Sequence, residues 1–415
     1  MSSETPKKIA ILGGGPIGLE AALYARFLGF EVTVFEQGKI ANNVASWGHV
    51  KMFSPFAMNS SPLGVAAVSA QDTQYSAPSA NDLLTGDEFR ERYLLPLGES
   101  DLLVDHVQTQ TRVLSLGRQG FLKNDAVGQP NRSAVPFRLL TVDSDGSESF
   151  HHADVVIDCT GTWNQPRQLG PSGIPAIGER STTEEIEYRI PDFQQQESLY
   201  GNRHTLLVGS GYSAATTLTG LSELVTRYPE TRVTWVTRDG TARPFSPIPE
   251  DPLVERSKLT ETANQLAQDA NFVRHLPGSS IKAMQKSITG NWKIEIEGSH
   301  EQLVECDQVI ANVGFKPNME MLSELQIHQC YASEGPMKLA AMLLSSSATD
   351  CLQQPKTQAE TLMTTEVDFY LLGSKSYGRN SQFLLASGLT QIRELFTVIA
   401  GRDELNLYDT IQPSP

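Results

Sequence analysis

Residues 8–36, KIAILGGGPIGLEAALYARFLGFEVTVFE, constrain this chain more than any other stretch, because they fix an order of strand, glycine turn, helix, strand and acid. The apolar run Ile9–Leu12 has the length of a strand buried on both faces. Gly13, Gly15 and Gly18 then occupy the three positions of G-x-G-x-x-G. Each meets a mechanical need: a tight turn, an approach of backbone to phosphate with no Cβ in the way, and close contact of helix with sheet. Pro16 and Ile17 open the helix, whose free amides face that turn and suit a phosphate. The second strand, Glu31–Phe35, ends at Glu36 and Gln37, and a carboxylate there accepts from ribose hydroxyls while repelling a 2′-phosphate. The whole arrangement reads as a dinucleotide site.

A second copy runs from His204 to Arg238. Gly209, Gly211 and Ala214 give G-x-G-x-x-A, with Tyr212 and Ser213 between them and a Ser213 hydroxyl near the phosphates. The strand Arg232–Thr237 ends in Arg238 rather than an acid, and a guanidinium at that point suits the 2′-phosphate of NADP. Arg243 is an alternative holder, and a solvated strand-end charge is the plainer reading of Arg238. Two such turns imply two dinucleotides.

At 415 residues the chain exceeds what one core comfortably serves. The expected fold is α/β, with two Rossmann-like dinucleotide-binding domains of three layers (ββα), the second inserted in the first. The expected spans are 1–165 and 306–415 for the split domain and 166–305 for the insert. DVVIDCTG at 154–161 reads as a buried strand and turn, followed by a proline- and glycine-rich crossing, NQPRQLGPSGIPAIG. DQVIANVGFKPN at 307–318, with Gly314 allowing close approach, reads as the strand that returns to the split domain. The stretch 133–156 reads as a hairpin and SAQDTQYSAPSAN at 69–81 as a loop. A last strand, Val367–Leu372, ends at Gly373 and precedes SKSYGRNSQ and a helical pattern.

The net charge of −15 opposes a phosphate backbone, so nucleic acid is not an expected partner. No apolar run approaches the roughly 20 residues of a membrane span, and MSSETPKK leads straight into a strand rather than a signal segment, which points to the cytoplasm. Cys159, Cys306, Cys330 and Cys351 are scattered, in neither a disulfide ladder nor a metal-ligand spacing. A homodimer is the default among soluble assemblies.

GGGPIGLEAAL, VIDCTGTW, TLLVGSGYSAATT, VIANVGFKPN and SKSYGRNSQF together resemble the superfamily of flavin-dependent monooxygenases and pyridine-nucleotide reductases, in the branch without a redox-active disulfide. The resemblance spans nearly the whole chain. It implies FAD in the first turn, NADPH in the second, and oxygenation of a small molecule by dioxygen through a flavin hydroperoxide. The phenylalanine-glycine-histidine fingerprint of flavin-containing monooxygenases is absent, so an NADPH-dependent reductase serving a quinone, metal or protein acceptor stays open, as does a non-catalytic redox sensor. By the same resemblance WGHVKMFSPFAMNSSPL at 47–63 lies beside the flavin, with Trp47 as a contact and His49 as candidate proton donor, since imidazole titrates near working pH. Lys375 and Arg379 are candidates to stabilise an anionic reduced flavin. Val113, Thr160, Gly161, Gly373 and Gln382 complete the expected cofactor contacts.

Overall fold

The computed structural model describes residues 6–346 and 350–409. Seven strands come first: β1 (Lys8–Leu12), β2 (Glu31–Phe35), β3 (Val107–Gln108), β4 (Arg112–Arg118), β5 (Phe137–Val142), β6 (Glu148–Ala153) and β7 (Val155–Asp158). Seven more follow: β8 (His204–Val208), β9 (Arg232–Val236), β10 (Val273–Leu276), β11 (Ser279–Lys286), β12 (Trp292–Gly298), β13 (Gln302–Cys306) and β14 (Gln308–Ala311). The last is β15 (Phe369–Leu371). The chain forms two compact units, one holding the residues up to Gln165 and from Lys316 onward, the other Pro166–Phe315.

In the first unit five parallel strands lie in the order β15-β7-β1-β2-β3. The alternation of side chains along a strand sends each set of residues to its own layer. Ile9, Ile11, Val32, Val34, Val155 and Ile157 pack against the helices Pro16–Phe27 and Leu385–Ala400, where Tyr24 stacks on Phe396 with ring centres 5.1 Å apart. From the opposite face Ala10, Leu12, Val156, Phe369 and Leu371 meet Leu116, Phe137 and Leu139 of the antiparallel sheet β4-β5-β6. Each large apolar side chain so buried contributes about 1.5–3 kcal/mol. The expected hairpin is thus two strands of a three-stranded meander.

Sequence pattern did not announce the clamp on the far side of this layer. Arg118 and Arg132, both buried, bind the buried carboxylate of Glu366 at 2.8 and 3.0 Å, and the Arg118 guanidinium lies 3.6 Å from the Phe137 ring centre. The clamp ties β4 and the turn at 130–133 to the segment that leads into β15.

The second unit repeats the plan with fewer strands. A parallel sheet β10-β9-β8-β14 carries the helices Tyr212–Val225 and Val254–Asp269 on one face, through Leu207, Val233, Trp235 and Ile310. On its other face Leu206, Val208 and Val236 meet Ile281, Trp292, Ile294 and Ile296 of the antiparallel sheet β11-β12-β13. β14 pairs with β8, Ala311 opposite Val208, so this strand belongs to the second unit rather than to the returning half. The unit therefore runs on to Phe315, beyond the boundary at 305 that the sequence suggests. Each unit is three layers, ββα.

Candidate functional site

In each unit the first strand of the parallel sheet sits between neighbours that cross over in opposite directions, which opens a crevice at the carboxyl ends of the strands. The glycine turn stands there. Gly13 takes φ +100°, and a Cβ on it would lie 2.9 Å from the Cys159 carbonyl oxygen. A Cβ on Gly18 would lie 1.9 Å from the Gly13 carbonyl oxygen, so the helix can approach the turn only through glycine. Gly15, the N-cap of the helix Pro16–Phe27, is different: no protein atom comes within 4 Å of where its Cβ would be. No side chain caps this helix, so its first amides are left to a ligand.

The turn faces a cleft of about 410 Å³, within the range of a small-molecule site. Of the residues expected from sequence, Gly13, Glu36, Gln37, Val113, Thr160, Gly161 and Lys375 line it. Glu36 is buried and accepts at 2.8 Å from the Gly14 amide through Oε2 and at 2.8 Å from the Gly38 amide through Oε1. Burial pushes its carboxyl above the ordinary range, while these two amides pull it back. Each oxygen keeps a lone pair for a ribose hydroxyl.

Lys375, which lines the cleft, is one half of a charged pair whose other half no sequence motif marks. Lys375 Nζ donates to Asp158 Oδ2 at 2.6 Å and to Thr160 Oγ1 at 3.0 Å, and both charged side chains are fully buried. Asp158 was not a candidate, because the run VVID reads as strand with an acid at its end and nothing in it names the partner 217 residues on. Cys159 beside it is no nucleophile: burial, then the Asp158 carboxylate, push its thiol well up against the opposing pull of Lys375.

Other expected residues lie elsewhere in this unit. Pro16 is the first residue of its helix, where a missing amide costs nothing. Ile17 is core, wedged so that a Cβ on Gly388 would come 2.3 Å from its Cδ1 and one on Gly373 3.5 Å from its Cγ1. Trp47 packs its ring over Gly86 instead of the cleft, and His49 is exposed to solvent. Arg379 pairs with Glu334 at 2.8 Å, which directs its guanidinium to a neighbouring loop. Gln382 accepts from Gln354 at 2.5 Å. Asn43 and Arg112 line the cleft although no motif singles them out, as does Asn318, the last residue of the VIANVGFKPN stretch.

The second turn repeats the plan of the first, with a positive-φ glycine against the third strand's end and a glycine N-cap two residues on. Gly209 takes φ +127°, and its Cβ would lie 2.2 Å from the Asn312 carbonyl oxygen, as that of Gly13 would from Cys159. Gly211 is the N-cap of the helix Tyr212–Val225, uncapped by any side chain, with open space where its Cβ would be. Trp235 Nε1 donates to the Gly209 carbonyl at 2.7 Å and braces the turn. Gly314, at φ +81°, stands where Gly161, at φ +68°, stands in the first unit. Ala214 is buried, Ser213 is exposed, and Tyr212 stacks on Phe245 with ring centres 6.3 Å apart.

The register corrects one equivalence. Phe35 pairs with Leu12 and Val236 with Val208, so Glu36 corresponds to Thr237 and Arg238 to Gln37. Thr237 is buried and bonded to His275 Nε2 at 2.8 Å; Arg238 and Arg243 are exposed. The His275 imidazole is pushed down to about 4 by burial, with a smaller push from His300, and is neutral at pH 7. Exposed positive charge at this end includes these two arginines, while the buried Arg256 guanidinium, 6.0 Å from the Tyr212 ring centre, is paired with Asp251.

Among the described residues no group of three or more His, Cys, Asp or Glu could hold a metal ion, and no helix is long and apolar enough to cross a membrane. Two three-layer α/β units, one interrupting the other in sequence, make a fold that this chain shares with solved structures. The solved structures that share it include the bacillithiol disulfide reductase of Bacillus cereus, at 17% identity and TM-score 0.67, with 96% of this chain and 100% of that one covered. The cadaverine monooxygenase DfoA of Erwinia amylovora, solved with FAD, aligns at 13% identity and TM-score 0.63 over 99% of both chains. The thioredoxin reductase of T. acidophilum aligns at 16% identity and TM-score 0.54, with 96% and 100% covered. No family model and no curated protein matches the sequence.

Proposed function

We propose that this chain is an FAD-dependent oxidoreductase that consumes NADPH. The observation that carries the reading is the pair of glycine turns, alike in backbone and opposite in the charge that follows the second strand. A buried acid, Glu36, suits the unphosphorylated ribose of FAD; exposed Arg238, with Arg243 near it in sequence, suits the 2′-phosphate of NADPH. The open space at Gly15 and at Gly211 is the room a diphosphate needs against backbone.

When bound, FAD supplies a ring that accepts hydride and passes electrons onward. The protein's share is binding, orientation and electrostatics. Gly13 and Gly15 keep the turn free of side chains, Glu36 takes ribose hydroxyls, and Lys375 brings a buried positive charge to the cleft.

For the electron acceptor we assign dioxygen, with a small organic molecule receiving one oxygen atom. The four cysteines are free, and the thiols of Cys159 and Cys306 are held far from the thiolate form, Cys306 at about 12 by burial and then by Asp307. A relay through either thiol is therefore disfavoured. A second reading, reduction of a quinone, metal ion or protein carrier, draws support from His49, whose exposure removes the expected proton donor from the cleft.

The two readings separate when the flavin-loaded protein is mixed with NADPH in air and under nitrogen with a quinone. NADPH oxidation in air that is tightly matched to oxygenated product supports the first. Rapid quinone reduction without any oxygenated product overturns it in favour of the second.

A further inference from the structure

The Lys375–Asp158 pair belongs to the first unit alone, and the strand order gives the reason. Asp158 pairs with Leu12 as Ala311 pairs with Val208, so the second unit has a buried alanine where the first has the acid. Beyond β7 the first sheet adds β15, and the loop that follows brings Lys375 onto Asp158; in the second sheet the corresponding strand, β14, is the edge.

The pair forms one closed network. Lys375 Nζ donates to Asp158 Oδ2 and to Thr160 Oγ1, and the Thr160 hydroxyl donates to Asp158 Oδ1 at 2.7 Å. Among the described residues the third N–H of Lys375 has no acceptor, and Lys375 lines the cleft. The glycine turn is adjacent, since a Cβ on Gly13 would lie 3.2 Å from the Thr160 Cα. A buried ammonium is thus bonded to Thr160, which packs against the glycine turn, with a buried carboxylate cancelling much of its field.

We propose that Lys375 binds the diphosphate of the cofactor in this cleft and that Asp158 moderates the pull of its ammonium. The inference rests on the flavin reading above. Two opposite buried charges present a dipole to a nearby anion, whereas either one alone presents a net charge. Removing one partner therefore moves anion affinity one way, and removing the other moves it the opposite way. A pair that served only to join two loops would lose affinity whichever partner was removed.

The test is the dissociation constant of FAD from the apoprotein, by quenching of flavin fluorescence, at low and high salt. Lys375→Met is expected to weaken FAD by about tenfold or more, and Asp158→Asn to tighten it several-fold, with both effects larger at low salt. The double variant is expected to return towards the parent. Equal weakening in both single variants, without salt dependence, overturns the proposal. If Lys375→Met does not fold, Asp158→Asn decides alone: tighter binding supports the inference and weaker binding refutes it. Parent apoprotein that takes up no FAD defeats the flavin reading itself, and the proposal with it, which is a distinguishable result.

Discussion

The two glycine turns share a backbone and differ in what surrounds it. In the first, Gly18 touches the turn so closely that a methyl group would strike the Gly13 carbonyl; in the second the same position holds Ala214, buried and accommodated. The first turn ends in a buried acid and lies against the Lys375–Asp158 pair; the second ends in a buried threonine and exposed arginines, with the buried Arg256–Asp251 pair beside Tyr212. The lesson is that a motif fixes the place of a phosphate, while the residues just outside it decide which phosphorylated molecule fits. Four sets of substitutions break or sharpen this contrast, in descending order of the largest effect expected in each.

Gly18→Ala should cost the most, about 4 kcal/mol or more of stability, because backbone rather than a flexible side chain must move. Ala214→Gly should cost about 1 kcal/mol or less, the ordinary penalty of glycine in a helix. Chemical denaturation of both variants reads the difference, and equal losses would mean the two turns are packed alike.

Glu20 comes next. It lies in the first helix where Thr216 lies in the second, and burial raises its carboxyl to about 7, against the hydrogen bond from Ser61. A carboxyl raised on folding favours the folded state while protonated. Its contribution is full below the unfolded value near 4.5 and is lost as pH rises through about 7, a swing of up to about 3 kcal/mol. Glu20→Gln should therefore be more stable than the parent at pH 8 and close to it at pH 5, as thermal melts at both values would read.

Gly15→Ala and Gly211→Ala add a methyl where no protein atom lies within 4 Å. Each should lose about 1 kcal/mol of stability, the difference between glycine and alanine at an N-cap. Gly15→Ala should weaken FAD by about 2 kcal/mol, roughly thirtyfold, and Gly211→Ala should weaken NADPH by a like amount. Titration of each variant with both ligands checks the pairing; crossed effects would reverse the assignment. The smallest change in binding is Arg238→Ala, expected to cost about 1.4 kcal/mol, near tenfold, in KM for NADPH and little for NADH. An unchanged ratio with Arg243→Ala affected instead would move the 2′-phosphate to Arg243.

Much of the fold was legible because order and periodicity carried it. The strand-turn-helix-strand pattern at 8–36 and again at 204–238 named both parallel sheets, and the run of apolar residues in VVID and VIA marked their third strands. Which sheet VIA joins was not legible, since a short parallel strand states no partner. The cleft followed the same division. Gly13, Glu36, Thr160 and Gly161 carry local signals, whereas Asp158 and Lys375 meet across 217 residues and Asn43 arrives from the short helix Asn42–Ala45. His49 and Trp47 were placed by resemblance alone, and their positions depend on how one loop packs.

The most direct measurement of the central claim is an anaerobic titration of the protein, loaded with FAD, by NADPH while the visible spectrum is followed. The account requires a yellow protein whose flavin band bleaches with one equivalent of NADPH, faster than with NADH. A protein that stays colourless after incubation with FAD, or a bound flavin that neither nucleotide reduces, would contradict it.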